Sequence, residues 1–246
     1  MNNWARFACF LLFVSILGVP AFAQFPDKFT NLTVLPKDIS RSDLQSTMRR
    51  FSFALGARCD HCHVEKPDKT MDFASDDKEA KKTARLMLQM VAAANRDFIA
   101  KITKPDGSTA QVECATCHRG LTQPQSLIRV LTADITDHGI THGLALYDEL
   151  RGKYLGSGEY DFGERTMNQL TESLLAEGKK QDAVAVMEKH FASNHPDSIW
   201  SFHMLAMAHE ANGQADKALA DYQKVLELHP EDDWAKKQIA ALTPPK

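Results

Sequence analysis

The chain has 246 residues, 43% of them hydrophobic and 25% charged, an ordinary globular composition with ample length for a buried core in one or two domains. Its formal net charge is −3 and it has no basic cluster, which excludes a nucleic-acid partner held by phosphate neutralisation. No long apolar stretch follows the N-terminal one, so no stable membrane span is expected in the mature protein.

Residues 1–23 read as a signal peptide. Arg6 supplies a basic start, Phe7 to Val19 an apolar run, and Ala21-Phe22-Ala23 a small-x-small cleavage pattern, which makes Gln24 the expected mature N-terminus. The run is short for a bilayer span, and an uncleaved anchor is the alternative. Cleavage removes Arg6 and no acid, so the formal charge moves from −3 to −4. The expected location is periplasmic or otherwise exported. Cys9 leaves with the signal segment, and all four remaining cysteines sit in two Cys-x-x-Cys-His units.

Those units are Cys59-Asp60-His61-Cys62-His63 and Cys114-Ala115-Thr116-Cys117-His118. Thiols three residues apart lie about one helical turn from each other, which suits thioether bonds to the two vinyl edges of one porphyrin. The histidine that follows can then bring a ring nitrogen to the iron. Two covalently bound haem c groups are therefore expected, with His63 and His118 as proximal iron ligands. A zinc ribbon would pair its knuckles across about 15–20 residues, whereas 51 residues separate Cys62 from Cys114. A redox-active Cys-x-x-Cys needs no following histidine and usually accompanies a βαβ pattern, which this sequence lacks.

Each motif is preceded by a helix that carries methionine. Ser42 with Gln45 forms a capping-box pattern, Gly56 suits the helix stop, and Leu44, Met48, Phe51 and Leu55 recur at helical spacing. Periodicity alone makes Met48 either a core filler or a thioether aimed at iron, with core filler the preferred reading. Asp76, Asp77 and Glu79 place acids in the first turn of a second helix running toward Phe98, with Met87, Met90, Val91 and Ala94 on one face. His138 and His142 share a face and could offer an iron ligand, although a surface or core role is preferred.

The stretches Asn31 to Ile39, Ala54-Leu55-Gly56, Cys59 to His63, Met71 to Asp76 and Cys114 to Gly120, with Met48, resemble the cytochrome subunit of photosynthetic reaction centres. They resemble more closely its short two-haem relatives, over residues 28 to about 124. The resemblance implies that the methionine before a haem motif is the sixth iron ligand, which favours Met48 for the first haem. One haem of that family takes a histidine from elsewhere in the chain, so the second haem's sixth ligand stays open between such a histidine and Met90, with Met87 as the next methionine. This chain has two motifs where the reaction-centre subunit carries four haems, which sets it apart from a donor to a photo-oxidised pigment.

From about residue 160 the pattern becomes a repeat. Phe202, Leu205, Ala206, Gly213, Ala218, Tyr222, Val225, Leu226 and Pro230 occupy the small, aromatic and proline positions of a tetratricopeptide repeat. An earlier copy runs through Leu170, Leu174, Gly178, Ala183, Met187 and Pro196. A helix from Asp232 to Leu242 reads as a cap, and one around Gly139 to Arg151 is expected either to complete the short stack or to dock it onto the haem domain. The glycine-rich stretch Gly152 to Gly163 reads as a flexible boundary.

The expected organisation is all-α: signal peptide 1–23, dihaem cytochrome domain 24–125, connecting helix and linker 126–160, and two repeats with a capping helix 161–246. The expected function is electron transfer between redox protein partners, with a membrane oxidoreductase as one candidate docked by the repeats. The alternatives are a plain repeat scaffold, a haem enzyme of peroxidase or nitrogen-oxide reductase type with an open second haem, and a photosynthetic electron donor.

Overall fold

The computed structural model describes residues 26, 28–193 and 197–243. The expected signal peptide, Gln24 and Pro196 lie outside the described residues. Among the described residues the chain is all-α, with eleven α-helices and one two-stranded antiparallel ribbon. It divides into two compact units: Met1–Arg50 with Arg58–Val112, and Phe51–Ala57 with Glu113–Lys246.

Helix α1 (Arg41–Leu55), whose last turn counts with the second unit, begins one residue before Ser42, the expected cap. Leu44 N–H already donates to the Ser40 carbonyl at 3.0 Å, and the Ser40 hydroxyl accepts from Asp43 N–H at 3.1 Å, so Ser40 is the cap and Ser42 lies within the first turn. Gly56 ends the helix as expected, at φ +59, with Ala57 N–H on the Ser52 carbonyl at 3.1 Å. A single turn, α2 (Cys59–Cys62), leads into β1 (Val64–Glu65) and β2 (Met71–Asp72), paired Val64 to Asp72 and Glu65 to Met71. Helix α3 (Glu79–Asp97) follows, then a 3-10 turn at Ile99–Lys101.

Of the acids expected in the first turn of α3, Glu79 is there but Asp76 and Asp77 stand outside the helix, whose cap position is Lys78, and the Asp76 carboxylate is held by other partners. Lys81 Nζ reaches it at 3.1 Å and Arg85 at 2.9 Å, while Asn31 Nδ2 donates to it at 2.9 Å. Lys81 is buried, and its ammonium also donates to the carbonyls of Phe73, Ala74 and Ser75 at 3.0, 3.1 and 2.6 Å. A buried ammonium is costly unless such acceptors surround it. Arg85 foremost, then Asn31 and Lys81, hold the Asp76 carboxyl well below the usual carboxylate range.

The second unit opens with α4 (Cys114–His118) and continues through paired helices. α5 (Leu127–His138) packs on α6 (Ile140–Tyr154), α7 (Glu164–Ala176) on α8 (Lys180–Ser193), and α9 (Ile199–Ala211) on α10 (Ala215–Leu228). α11 (Asp233–Leu242) covers α10 and is capped by Asp232, whose side chain accepts from Ala235 N–H at 2.8 Å. Gly178 and Gly213, 35 residues apart, end the first helix of each repeat in the left-handed region, at φ +77 and +74. At both stops the next N–H reaches five residues back, Lys179 to Leu174 at 2.9 Å and Gln214 to His209 at 2.8 Å.

The repeat positions read from the sequence form the core: Leu170, Leu174, Ala183 and Met187 in the first copy, and Ala206, Ala218, Tyr222 and Val225 in the second, are fully buried. One apolar cluster runs from Leu127, Leu131 and Ile135 of α5 and Tyr147 of α6 into Met167, Leu170 and Leu174 of α7. α6 thus completes the stack, with α5 as its partner. The glycine-rich stretch after α6 is anchored by rings, with Tyr154 on Tyr160 at 5.4 Å, Tyr160 on Phe162 at 6.2 Å and the buried Phe162 against Tyr147 at 5.9 Å.

A fragment beginning at Ser157 lacks α5 and α6 and leaves the α7 face uncovered, so circular dichroism is expected to show reduced helicity and a broad melt; full helicity with a cooperative melt would contradict the shared core. In the first unit, Lys81→Met is expected to lower stability by about 2–3 kcal/mol in urea unfolding of the haem-loaded protein, through loss of charge-assisted bonds. The depressed Asp76 value stabilises the fold above the ordinary carboxylate value of about 3.9, and that contribution fades as pH falls below it. Wild type should therefore lose stability more steeply than Asp76→Asn as pH is lowered from about 4.

Candidate haem-attachment sites

In the first motif the helical turn α2 carries Cys59, exposed, and Cys62, half-buried, both as free thiols. Burial, and then the neighbouring Cys59, push the Cys62 thiol up, partly offset by Lys78 and Lys81. His63 leaves the turn in extended conformation (φ −118, ψ 152), its N–H on the Cys59 carbonyl at 2.9 Å. Its ring packs edge-on against Phe73 with centroids 5.1 Å apart. Burial, then the Lys81 charge, lower its pKa, with the Phe73 main chain opposing. A neutral imidazole is the form a metal requires. Its Nδ1 is buried without a well-formed hydrogen bond.

The second motif forms α4, whose start is fixed by Glu113 N–H donating to the Thr116 hydroxyl at 3.0 Å. His118 Nδ1 lies 2.7 Å from the Leu121 carbonyl, which can only accept, so this nitrogen carries the proton. The Nε2 lone pair is then left for a metal, the arrangement in which a backbone carbonyl orients a ligating histidine. Arg119 at φ +46 and Gly120 at φ +86 turn the chain sharply after the motif. Gly120 N–H donates to the Ala54 carbonyl at 2.9 Å, and a Cβ on Gly56 would meet the Gly120 oxygen at 2.0 Å. Glycine is required at position 56 by both its left-handed φ and this approach.

Met48 is half-buried on α1, on the face that carries the buried Leu44 and Thr47. On α3, Met87 is half-buried while Met90 is 51% exposed, alongside Leu86 and Phe98, also exposed. Met48 and the first motif fall in one compact unit; Met90 belongs to that unit as well, and His118 to the other. His138 and His142 lie on two helices, α5 and α6, rather than on one face, and both rings engage Asp134.

Between residues 28 and 125 the buried apolar side chains are Leu44 and Ala54, and every described apolar cluster lies beyond residue 126. A polypeptide of this length normally buries most of its apolar surface. The apolar surface left on α3, the four free thiols and the two oriented imidazoles together fit large flat apolar groups held by thioether bonds. Sequence reasoning missed Lys81, Asn31, Arg85 and Leu121, which orient the sites without belonging to the motifs.

Among the described residues no helix is long and apolar enough to cross a membrane. Residues 199–242 match the tetratricopeptide repeat family, on α9 to α11. A solved structure of Naa15/Naa10 bound to HypK-THB matches 47% of this chain and 17% of its own at 22% identity, with a TM-score of 0.31, too low to carry an argument. The photosynthetic reaction center cytochrome c subunit of Rubrivivax gelatinosus is 32% identical over 124 residues, 42% of this chain and 32% of that protein. Cytochrome c-554 of Chloroflexus aurantiacus is 35% identical over 96 residues, 39% of this chain and 21% of that protein. The chain thus spans a third or less of these relatives' lengths. The model of the photosynthetic reaction centre cytochrome c subunit matches residues 21–146, just over half of the chain and both Cys-x-x-Cys-His turns. The chain belongs to that family of c-type cytochromes, joined here to a tetratricopeptide repeat.

Proposed function

We propose that this protein is an exported dihaem c-type cytochrome that carries electrons between redox partners, with its repeats docking a protein partner. The observation that carries the proposal is the pair of Cys-x-x-Cys-His turns, each with two free thiols and a half-buried histidine ring. Cys59 and Cys62 would hold one haem and Cys114 and Cys117 the other, with His63 and His118 as proximal ligands. When bound, haem c supplies a one-electron iron couple whose potential the axial ligands and the surrounding burial tune. Met48 is the proposed sixth ligand of the first haem and Met90 that of the second, with both iron positions filled by protein so that electron transfer rather than substrate chemistry results.

The relatives named as cytochromes support electron transfer. The chain matches a third or less of their lengths, so donation to a photosynthetic pigment is not carried over to it. The signal-peptide pattern of residues 1–23 supports export to the periplasm. The repeat family supports a protein-binding role, and a redox enzyme of the membrane is the partner class this reading favours.

Haem quantitation per chain is expected to give two, falling to one in the Cys59→Ala/Cys62→Ala variant and likewise in Cys114→Ala/Cys117→Ala. In a spectroscopic redox titration, Met48→His is expected to lower one potential by roughly 0.1–0.3 V, within the ~0.8 V range that axial ligands span. The same drop of the other potential in Met90→His assigns the second ligand, and no change returns Met90 to a packing role. A high-spin ferric signal that cyanide abolishes would replace the carrier reading with an open-site enzyme. Deletion of residues 161–246 is expected to remove partners from affinity capture of periplasmic proteins, and an unchanged set would leave the repeats a scaffold.

A further inference from the structure

At the α5–α6 corner three metal-ligating side chains come together away from both haem motifs in sequence. Asp134 is on α5, His138 is the last residue of α5, and His142 is in the first turn of α6. The chain breaks between the helices at Gly139 (φ 84, ψ 168), and this break brings His142 back over α5. His138 Nδ1 lies 3.1 Å from one Asp134 oxygen and His142 Nδ1 lies 2.8 Å from the other. The ring centroids are 4.8 Å apart, and one ligand atom from each residue falls within 4.8 Å of the others.

The corner is built rather than loose. A Cβ on Gly143 would meet Ile135 Cγ1 at 2.3 Å, so the two helices approach as closely as a glycine permits. Ile135 and Leu131 beneath it belong to the core shared with Tyr147. The Asp134 side chain is only 12% exposed, while the two imidazoles are 57% and 59% exposed and can rotate. A carboxylate fixed in the surface and two adjustable imidazoles face one another, with water on the outer side.

We propose that Asp134, His138 and His142 form a binding site for a divalent first-row transition cation such as Cu2+, Ni2+ or Zn2+. Bonds of about 2.0–2.2 Å to one ion require donor atoms no more than about 4.4 Å apart, and rotation of the exposed rings closes the small remaining difference. The cation replaces the two N–H hydrogens that face the carboxylate, the rings taking the tautomer protonated on Nε2. Two imidazoles and one carboxylate select borderline metals over Mg2+ and Ca2+, which prefer oxygen. Hydrogen bonding from His142, more than from His138, holds the Asp134 carboxyl below its ordinary range and keeps it ionised. The carbonyl end of α5 beside His138 also favours a cation. The bound ion would clamp α5 to α6, the hairpin on which the first repeat stacks.

The test uses the full-length haem-loaded protein, titrated with Cu2+, Ni2+, Zn2+, Mg2+ and Ca2+ in a calorimeter. One ion per chain is expected, with Cu2+ tightest and no binding of Mg2+ or Ca2+. His138→Ala and His142→Ala, both at exposed positions, are each expected to weaken Cu2+ and Zn2+ by at least about 100-fold, as loss of one of three ligands should. His229→Ala, an exposed histidine elsewhere, should change nothing. Electron spin resonance of the Cu2+ form should show hyperfine structure from two nitrogens, and the haem absorption spectrum should be the same in all variants. Equal binding by wild type and the His138→Ala/His142→Ala double variant overturns the proposal. So does a haem spectrum that changes in that variant, which would make one histidine an iron ligand.

Discussion

Lys81 holds the chain that follows the first motif in one shape. Its buried ammonium gathers three consecutive carbonyls, those of Phe73, Ala74 and Ser75, and the Asp76 carboxylate. Removing an ammonium from water costs several kcal/mol, and a well-directed set of acceptors offsets that cost only if the loop keeps its conformation. The loop in turn carries Phe73, whose ring supports the His63 imidazole, so a charge nearly twenty residues downstream in sequence fixes the histidine of the motif. Burial first, and then the Lys81 charge, lower the His63 pKa and favour the neutral ring, the form a metal requires.

The two parts of the chain are stabilised in different ways. The repeat part is held by apolar cores: Leu174, Met187, Tyr222 and Val225 are fully buried, and the α5–α6 pair shares the cluster that contains Leu174. The cytochrome part depends on main-chain clasps and polar anchors, such as Asn95, whose side chain both donates to and accepts from the main chain of Val112 at 2.8 Å. It buries few apolar side chains of its own and leaves Leu86, Met90 and Phe98 open. On the proposed reading the porphyrins supply the missing apolar mass, so thioether attachment is part of folding as well as of function, as with other groups that bind only the native chain.

What the sequence disclosed and what it hid follow from the range of the interactions. The Cys-x-x-Cys-His motifs, the glycine stop at 56, the repeat positions of Gly178 and Gly213 and the repeat core are local patterns in which spacing and residue type carry the meaning, and all were legible. The cap of α1 was misplaced by two residues because Ser40 and Ser42 look alike until the first carbonyl partner is known. Asp76 looked like an N-terminal helix acid, but its carboxylate instead takes Lys81 and Arg85 from the helix and Asn31 from 45 residues away in sequence. Lys81 stands in a Lys-Lys pair that any solvated helix face could carry. The methionine face of α3 was legible as apolar, but periodicity cannot say whether protein or a porphyrin covers it.

The Gly56–Gly120 approach shows how small a change would undo this organisation. Gly56 stands three residues before Cys59, and Gly120 two residues after His118. The helix that carries Met48 therefore ends on the turn that closes the second motif, through the bond from Gly120 N–H to the Ala54 carbonyl. Any side chain at position 56 would have to displace the Gly120 carbonyl, main chain that no rotamer change can move aside. The strain of Arg119 in the left-handed region then has a reason, since the turn it makes presents the Gly120 amide to α1. On the proposed reading, ligand placement thus rests on backbone contacts between residues that bind nothing themselves.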